Sequence, residues 1–281
     1  MKTVFYSSIH EWLELCQRFF DHDEVYYQLM ITNANALKDQ PDDQAFFGLV
    51  RDLDNIVVIF IYRPPYNLVV HPLKPISDED MMILANAVYQ KDSNIPGINA
   101  PDWFARSFSD SFKMLSGRDY HLYLSMDIME IRALNPVKLP SVTCRLAKEN
   151  DLSFMDPWTC EFQKEALHET PDISIIHQKN LERIAKKQCY VILDDHHIPH
   201  AMGLLTRPMK KGIAITLVYT EPSSRGKGYG MSVAYHLTKI AFDLGYQYVT
   251  LYVDKSNPIS NRVYKKVGFR VIIDQSDYRF S

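Results

Sequence analysis

Little in this sequence points to a polyanion, a metal cluster or a membrane. Lysine and arginine number 31 against 34 aspartates and glutamates, a formal net charge of −3. A nucleic-acid binder would more often carry a basic stripe, so no nucleic-acid partner is expected. Cysteine occurs four times, at Cys16, Cys144, Cys160 and Cys189, and no two form a CxxC pair. That pattern indicates neither a zinc site nor a disulfide framework, and no metal is expected. Unpaired thiols fit the reducing cytoplasm, the location predicted here. The longest apolar run, residues 56–62, falls far short of the roughly 20 residues a membrane helix needs. The opening MKTVFYSSIHEWLE lacks the apolar core of a signal peptide. Glycine is scarce too, ten in 281 residues, so any local concentration of it is informative.

What is present reads as two halves with similar element order. A prior of about 100–200 residues per domain also favours two domains. In the first half, residues 9–20 and 24–37 are predicted helices, and 45–50, 55–62 and 66–71 are β-branched and aromatic runs typical of strands. A helix follows over 78–90 with Ser77 as its N-cap, then a helix over 101–117 and a strand over 120–133. This half shows no clear opening strand. Pro136 and Pro140 break the pattern, and the domains are set at 1–138 and 139–281. The second half runs strand 143–147, helices 152–167 and 173–187, strands 189–193, 199–206 and 212–220, helix 228–244, strand 246–253, helix 257–267 and strand 269–273.

Three of the ten glycines fall in Arg225-Gly226-Lys227-Gly228-Tyr229-Gly230, between a predicted strand and a predicted helix. Without side chains, several backbone N–H groups can converge there on one oxyanion. The helix start adds unpaired donors and partial positive charge, and Arg225 and Lys227 add full charges. This is a site for a phosphate or diphosphate. It is neither a GxxxxGK loop nor a GxGxxG fingerprint, since residue 231 is Met. The spacing is Arg-x-x-Gly-x-Gly.

The segment from Val218 to Gly230 resembles motif A of the GNAT superfamily of N-acetyltransferases. Asn257-Pro258-Ile259-Ser260-Asn261-Arg262-Val263-Tyr264-Lys265-Lys266-Val267-Gly268-Phe269 is similar to that family's motif B. The likeness is specific over about residues 189–273. The first half resembles the N-terminal part of a tandem-GNAT group. Between its strand 66–71 and helix 78–90, however, lies Pro72-Leu73-Lys74-Pro75-Ile76-Ser77, with two prolines and no glycine. A degenerate copy that shapes the acceptor pocket is expected there.

The resemblance implies an α/β fold with a mixed (α+β) sheet: two GNAT-like domains in tandem, each a twisted, mostly antiparallel sheet flanked by helices. It implies acetyl-CoA as acyl donor and a small-molecule or peptide amine as acceptor, with no membrane partner; a monomer and a homodimer are both open. Donor-binding residues would be Leu217, Val218, Tyr219, Thr220, Arg225, Gly226, Lys227, Gly228, Tyr229, Gly230, Asn257, Asn261 and Tyr264. Tyr264 would be the general acid that protonates the leaving thiolate, with Ser260 and Gly268 leaving its phenol room. Glu165 is named as the base candidate, with Glu161, Glu221 and the histidines as alternatives. His196, His197 and His200 are expected to form a solvated hairpin turn, and Asp254 a local cap. A CoA-binding sensor without turnover and a protein N-acetyltransferase are the competing readings.

Overall fold

A computed structural model describes residues 1–281. The first ten elements are β1 (Lys2–Phe5), α1 (Ile9–His22), α2 (Glu24–Asp39), β2 (Phe46–Asp52), β3 (Asn55–Tyr62), β4 (Leu68–Pro72), α3 (Asp78–Lys91), β5 (Gly97–Ala100), α4 (Asp102–Ser116) and β6 (Tyr120–Ile131). Then follow β7 (Thr143–Leu146), α5 (Leu152–Leu167), α6 (Ile173–Ala185), β8 (Cys189–Leu193), β9 (Pro199–Thr206), β10 (Gly212–Thr220), α7 (Tyr229–Asp243), β11 (Tyr248–Asp254), α8 (Pro258–Val267) and β12 (Arg270–Phe280). The fold is a mixed α/β one. No helix is long and apolar enough to cross a membrane. Two compact units arise, Met1–Asp127 with Ile273–Ser281, and Ile128–Ile272. The chain passes between them within β6 and again within β12, whereas the sequence reading placed its division at the prolines near residue 138.

In the first unit the strand order is β1-β2-β3-β4-β5-β12. Only β4 and β5 run parallel among these neighbours. The long apolar run of β3 is explained by burial on both faces. Val58, Phe60 and Tyr62 enter one core cluster with α3 and α4, while Ile59 and Ile61 enter another with α1 and α2. On α1 the inward stripe is Trp12, Cys16 and Phe20, at four-residue spacing, and Ser8 caps its start.

Two strand readings are corrected. The first half does open with a strand: β1 pairs with β2 from Lys2↔Arg51 to Phe5↔Gly48. Four edge residues are too few for an alternation to be read. The last strand continues to Phe280 instead of ending at 273. Its residues 276–279 pair antiparallel with β5 in the first unit. Polar Gln275 and Ser276 hid it, yet both are buried and hydrogen-bonded, to Asn99 at 2.7 Å and Asp102 at 2.8 Å.

The second unit has the order β6-β11-β10-β9-β8-β7. Neighbours from β7 to β10 are antiparallel, and β10 and β11 are parallel. α7 packs its Val233, Ala234, Leu237 and Ala241 onto this sheet. Close approach requires glycine on β9: a Cβ on Gly203 would stand 2.5 Å from Val233 Cγ1 and 3.0 Å from Leu237 Cδ1. Gly203→Ala should therefore lower stability by about 1–3 kcal/mol through overpacking. Urea unfolding of the purified chain measures it; an unchanged midpoint would show that α7 yields freely.

Candidate functional site

The site begins with a defect in the sheet. β10 pairs with β9 up to Thr216↔Leu204 and resumes at Tyr219↔Met202. Leu217 and Val218 thus stand opposite Gly203 alone, a β-bulge. Leu217 adopts φ 51°, a left-handed conformation that costs a non-glycine residue about 1–2 kcal/mol. On its other edge β10 pairs with β11 only from Gly212↔Tyr248 to Ala214↔Thr250. The two parallel strands then part. At about 3.3 Å per residue, the six residues from Ile215 to Thr220 leave roughly 20 Å of β10 outside that pairing. An extended ligand could add there as a strand.

Beyond Thr220 the chain makes a short 3-10 turn over Pro222–Ser224 and enters α7. Gly228 is the N-cap of α7 at φ 92°, and Gly226 lies at φ 77°. Having no side chain, Gly228 offers no cap, and no acidic residue lies in the first turn. The first N–H groups of α7 are left to solvent or to an anion. Lys227 is exposed beside them.

Arg225 is held from three sides. Its Nε donates to Thr220 O at 3.1 Å, and one Nη donates to both oxygens of Glu165 at 2.9 and 2.8 Å. Its guanidinium also lies 5.6 Å from the Tyr219 ring centroid. The carboxylate of Glu165 raises the Arg225 pKa. The residue named as a base from sequence is therefore paired with one named as a diphosphate ligand. Glu161 is paired with Lys164 at 2.8 Å, and Glu221 accepts from Ser223 and Ser224.

On α8, Asn257 caps the helix: its Oδ1 accepts from Ser260 N at 3.0 Å. Asn261 Nδ2 donates to Asp254 O and to Asn257 O, both at 2.9 Å. Both amides thus fix the β11–α8 junction. Asp254 accepts from Ser256 N at 2.8 Å, the local cap expected of it. Tyr264 is 8% exposed and packs in the core cluster that holds Ile215, Val253 and Phe269. Burial pushes its phenol up to about 12, so it stays protonated at neutral pH.

One functional candidate departs from its expected place. His196 and His197 are exposed in the β8–β9 turn, as predicted. His200 is not: it bonds Ser224 and Asp194 and stacks on Tyr229. Asp194 is six residues away in the same hairpin, but no local signal reveals the other two partners, which lie 24 and 29 residues along the chain. Thiol chemistry is disfavoured throughout. Burial pushes Cys16, Cys144 and Cys189 up to about 12, and raises Cys160 as well.

Comparisons with known proteins bear on this site. Residues 152–269 match the Acetyltransferase (GNAT) family. No curated protein matches the sequence. Among solved structures, an acetyltransferase from the GNAT family of Colwellia psychrerythraea is 13% identical with a TM-score of 0.59, covering 100% of both chains. An N-acetyltransferase related to the same family from Sphaerobacter thermophilus is 14% identical with a TM-score of 0.64, covering 99% of this chain and 95% of its own. A Drosophila protein is 11% identical with a TM-score of 0.65, covering 99% of this chain and 98% of its own. At these identities the structural likeness is one of fold, and it extends over both units.

The Glu165–Arg225 pair is about half exposed on both sides. Such pairs contribute about 0–1 kcal/mol. Glu165→Gln should therefore shift the urea unfolding free energy by less than about 1 kcal/mol; a larger loss would make the pair a structural necessity.

Proposed function

We propose that this chain, whose residues 152–269 are an acetyltransferase domain of the GNAT family, transfers an acetyl group from acetyl-CoA to a primary amine of a small molecule or peptide. One observation carries the reading: an uncapped, glycine-lined helix start lies directly after a bulged strand that has parted from its parallel neighbour. The first feature suits a diphosphate and the second an extended pantetheine arm.

In this reading the diphosphate rests on the N–H groups of residues 226–230, with Lys227 adding charge. The pantetheine amides pair along Leu217–Thr220, and a backbone N–H at the bulge polarises the thioester carbonyl. The amine nitrogen attacks that carbon, the C–S bond breaks, the thiolate takes the Tyr264 phenolic proton, and the proton shed by the acylated nitrogen passes through water to restore the phenol. A phenol kept neutral by burial is available for that transfer. The elevated pKa of the buried cysteines supports direct attack over an acetyl-cysteine intermediate. We assign Glu165 a positioning role on Arg225 in place of the base role, since both its oxygens are engaged. The acceptor then enters as the free amine, its proton leaving to water.

The first unit serves this reading as a degenerate tandem copy. Its corresponding helix start, that of α3, is capped by Ser77, whose side chain accepts from Asp80 N at 3.2 Å. Asp78, Glu79 and Asp80 fill its first turn. Three carboxylates at a capped start repel a diphosphate.

The test is thiol release from acetyl-CoA in the presence of a pool of amines, including polyamines, amino acids and peptides. Binding of acetyl-CoA without release for any amine would support the sensor reading instead. Tyr264→Phe should lower turnover strongly and leave acetyl-CoA affinity nearly intact; unchanged turnover would remove Tyr264 from the acid role. Gly228→Val places a β-branched side chain at φ 92° and 3.2 Å from Pro140 Cδ. It should weaken CoA binding at least tenfold, about 1.4 kcal/mol, by calorimetry. Equal affinity would mean that the diphosphate lies elsewhere.

A further inference from the structure

His200 sits at the start of β9, where it touches both ends of the phosphate turn. Its Nδ1 lies 2.7 Å from Ser224 Oγ, one residue before Arg225. Its ring stacks on Tyr229, the first residue of α7, with centroids 4.2 Å apart and planes 12° apart. Its Nε2 lies 3.0 Å from Asp194 Oδ2 in the β8–β9 turn. Its backbone O accepts from Glu221 N at 3.0 Å.

Serine, histidine and aspartate in series resemble a nucleophile relay, but Ser224 is 2% exposed and cannot meet a substrate. A carboxylate accepts only, so Asp194 takes its hydrogen from His200 Nε2. The Ser224 Oγ bridges His200 Nδ1 at 2.7 Å and Glu221 Oε2 at 3.2 Å, so the series ties the β8–β9 turn to the loop that leads into the phosphate turn. The titratable groups that face it are Asp194 from the turn, Glu221 through Ser224 from the loop after β10, and Tyr229 from α7. His200, with two backbone N–H groups, holds the Asp194 carboxyl at about 2, so this partner stays an anion.

We propose that His200 is a positioning residue of the donor's phosphate turn: bonded to Asp194 and Ser224 and stacked on Tyr229, it fixes both ends of residues 225–230 in the form that presents their N–H groups to a diphosphate. This rests on the donor reading above.

The test is calorimetric titration of the full chain with CoA and with pantetheine. His200→Phe keeps a ring to stack on Tyr229 and removes both ring nitrogens. It should weaken CoA binding about tenfold. Pantetheine, which has no diphosphate, should bind wild type and variant alike. Equal CoA affinity in variant and wild type, or an equal loss for pantetheine, would overturn the proposal while leaving the donor site standing. No CoA binding by wild type would overturn the donor reading and this one with it. If His200→Phe does not fold, as judged by thermal melting, Asp194→Asn carries the test: its CoA affinity should fall, and an unchanged value rejects the role.

Discussion

The backbone N–H groups at the head of α7 have no partner within the helix, and the site is arranged around that deficit. A helix start normally satisfies its donors with a Ser, Thr, Asp or Asn side chain. The N-cap here is glycine, and the first turn has no carboxylate. The contrast with α3 is instructive because the same chain solves the same problem both ways. There Ser77 closes the start and three acidic residues follow. Closing a helix start stabilises the helix, whereas leaving it open reserves the donors for an anion. Element order makes the two helices counterparts, but their chemistry differs in sign.

A second deficit, in the sheet, lies immediately upstream. Leu217 and Val218 occupy the space opposite one residue of β9, and β10 separates from β11 after Ala214. Both effects disturb the same stretch of β10 from opposite edges. The left-handed Leu217 is strained, and it persists because α7 packs over the adjoining β9 through Val233 and Leu237. Gly203 is where these needs meet: it faces the bulge and admits the helix. Packing therefore sets the bulge, and the bulge sets where an extended ligand can pair.

Much of this was legible in the sequence, for identifiable reasons. The Arg-x-x-Gly-x-Gly turn could be read because glycine is scarce, so three in five residues mark special backbone. The helices over 228–244 and 9–20 were placed close to the observed α7 and α1. The features that escaped depend on long-range partners. His200 gave no sign of its role, since Ser224 and Tyr229 meet it only once β9 lies beside the loop. Glu165 and Arg225 were both named, but their pairing across 60 residues was not foreseen. β1 was too short to show a period. The far end of β12 was hidden by buried polar residues whose partners lie in β5 and at the start of α4.

The pairing of Arg225 also changes how charge is divided in the turn. A guanidinium has five donors, and this one commits Nε to Thr220 O and one Nη to Glu165. The bond to Thr220 spans the 3-10 turn and ties the end of β10 to the entry of the glycine segment. Arg225 thus acts first as a strut, with Glu165 offsetting its charge. An anion arriving at α7 would meet Lys227 and the uncapped N–H groups before any free guanidinium. Backbone donors are directional and fixed, whereas a long cationic side chain is neither. An arrangement that uses its arginine to hold the backbone selects for the shape of a diphosphate more than for charge alone, which fits a turn with one exposed lysine and no wider basic field in the segment 220–231.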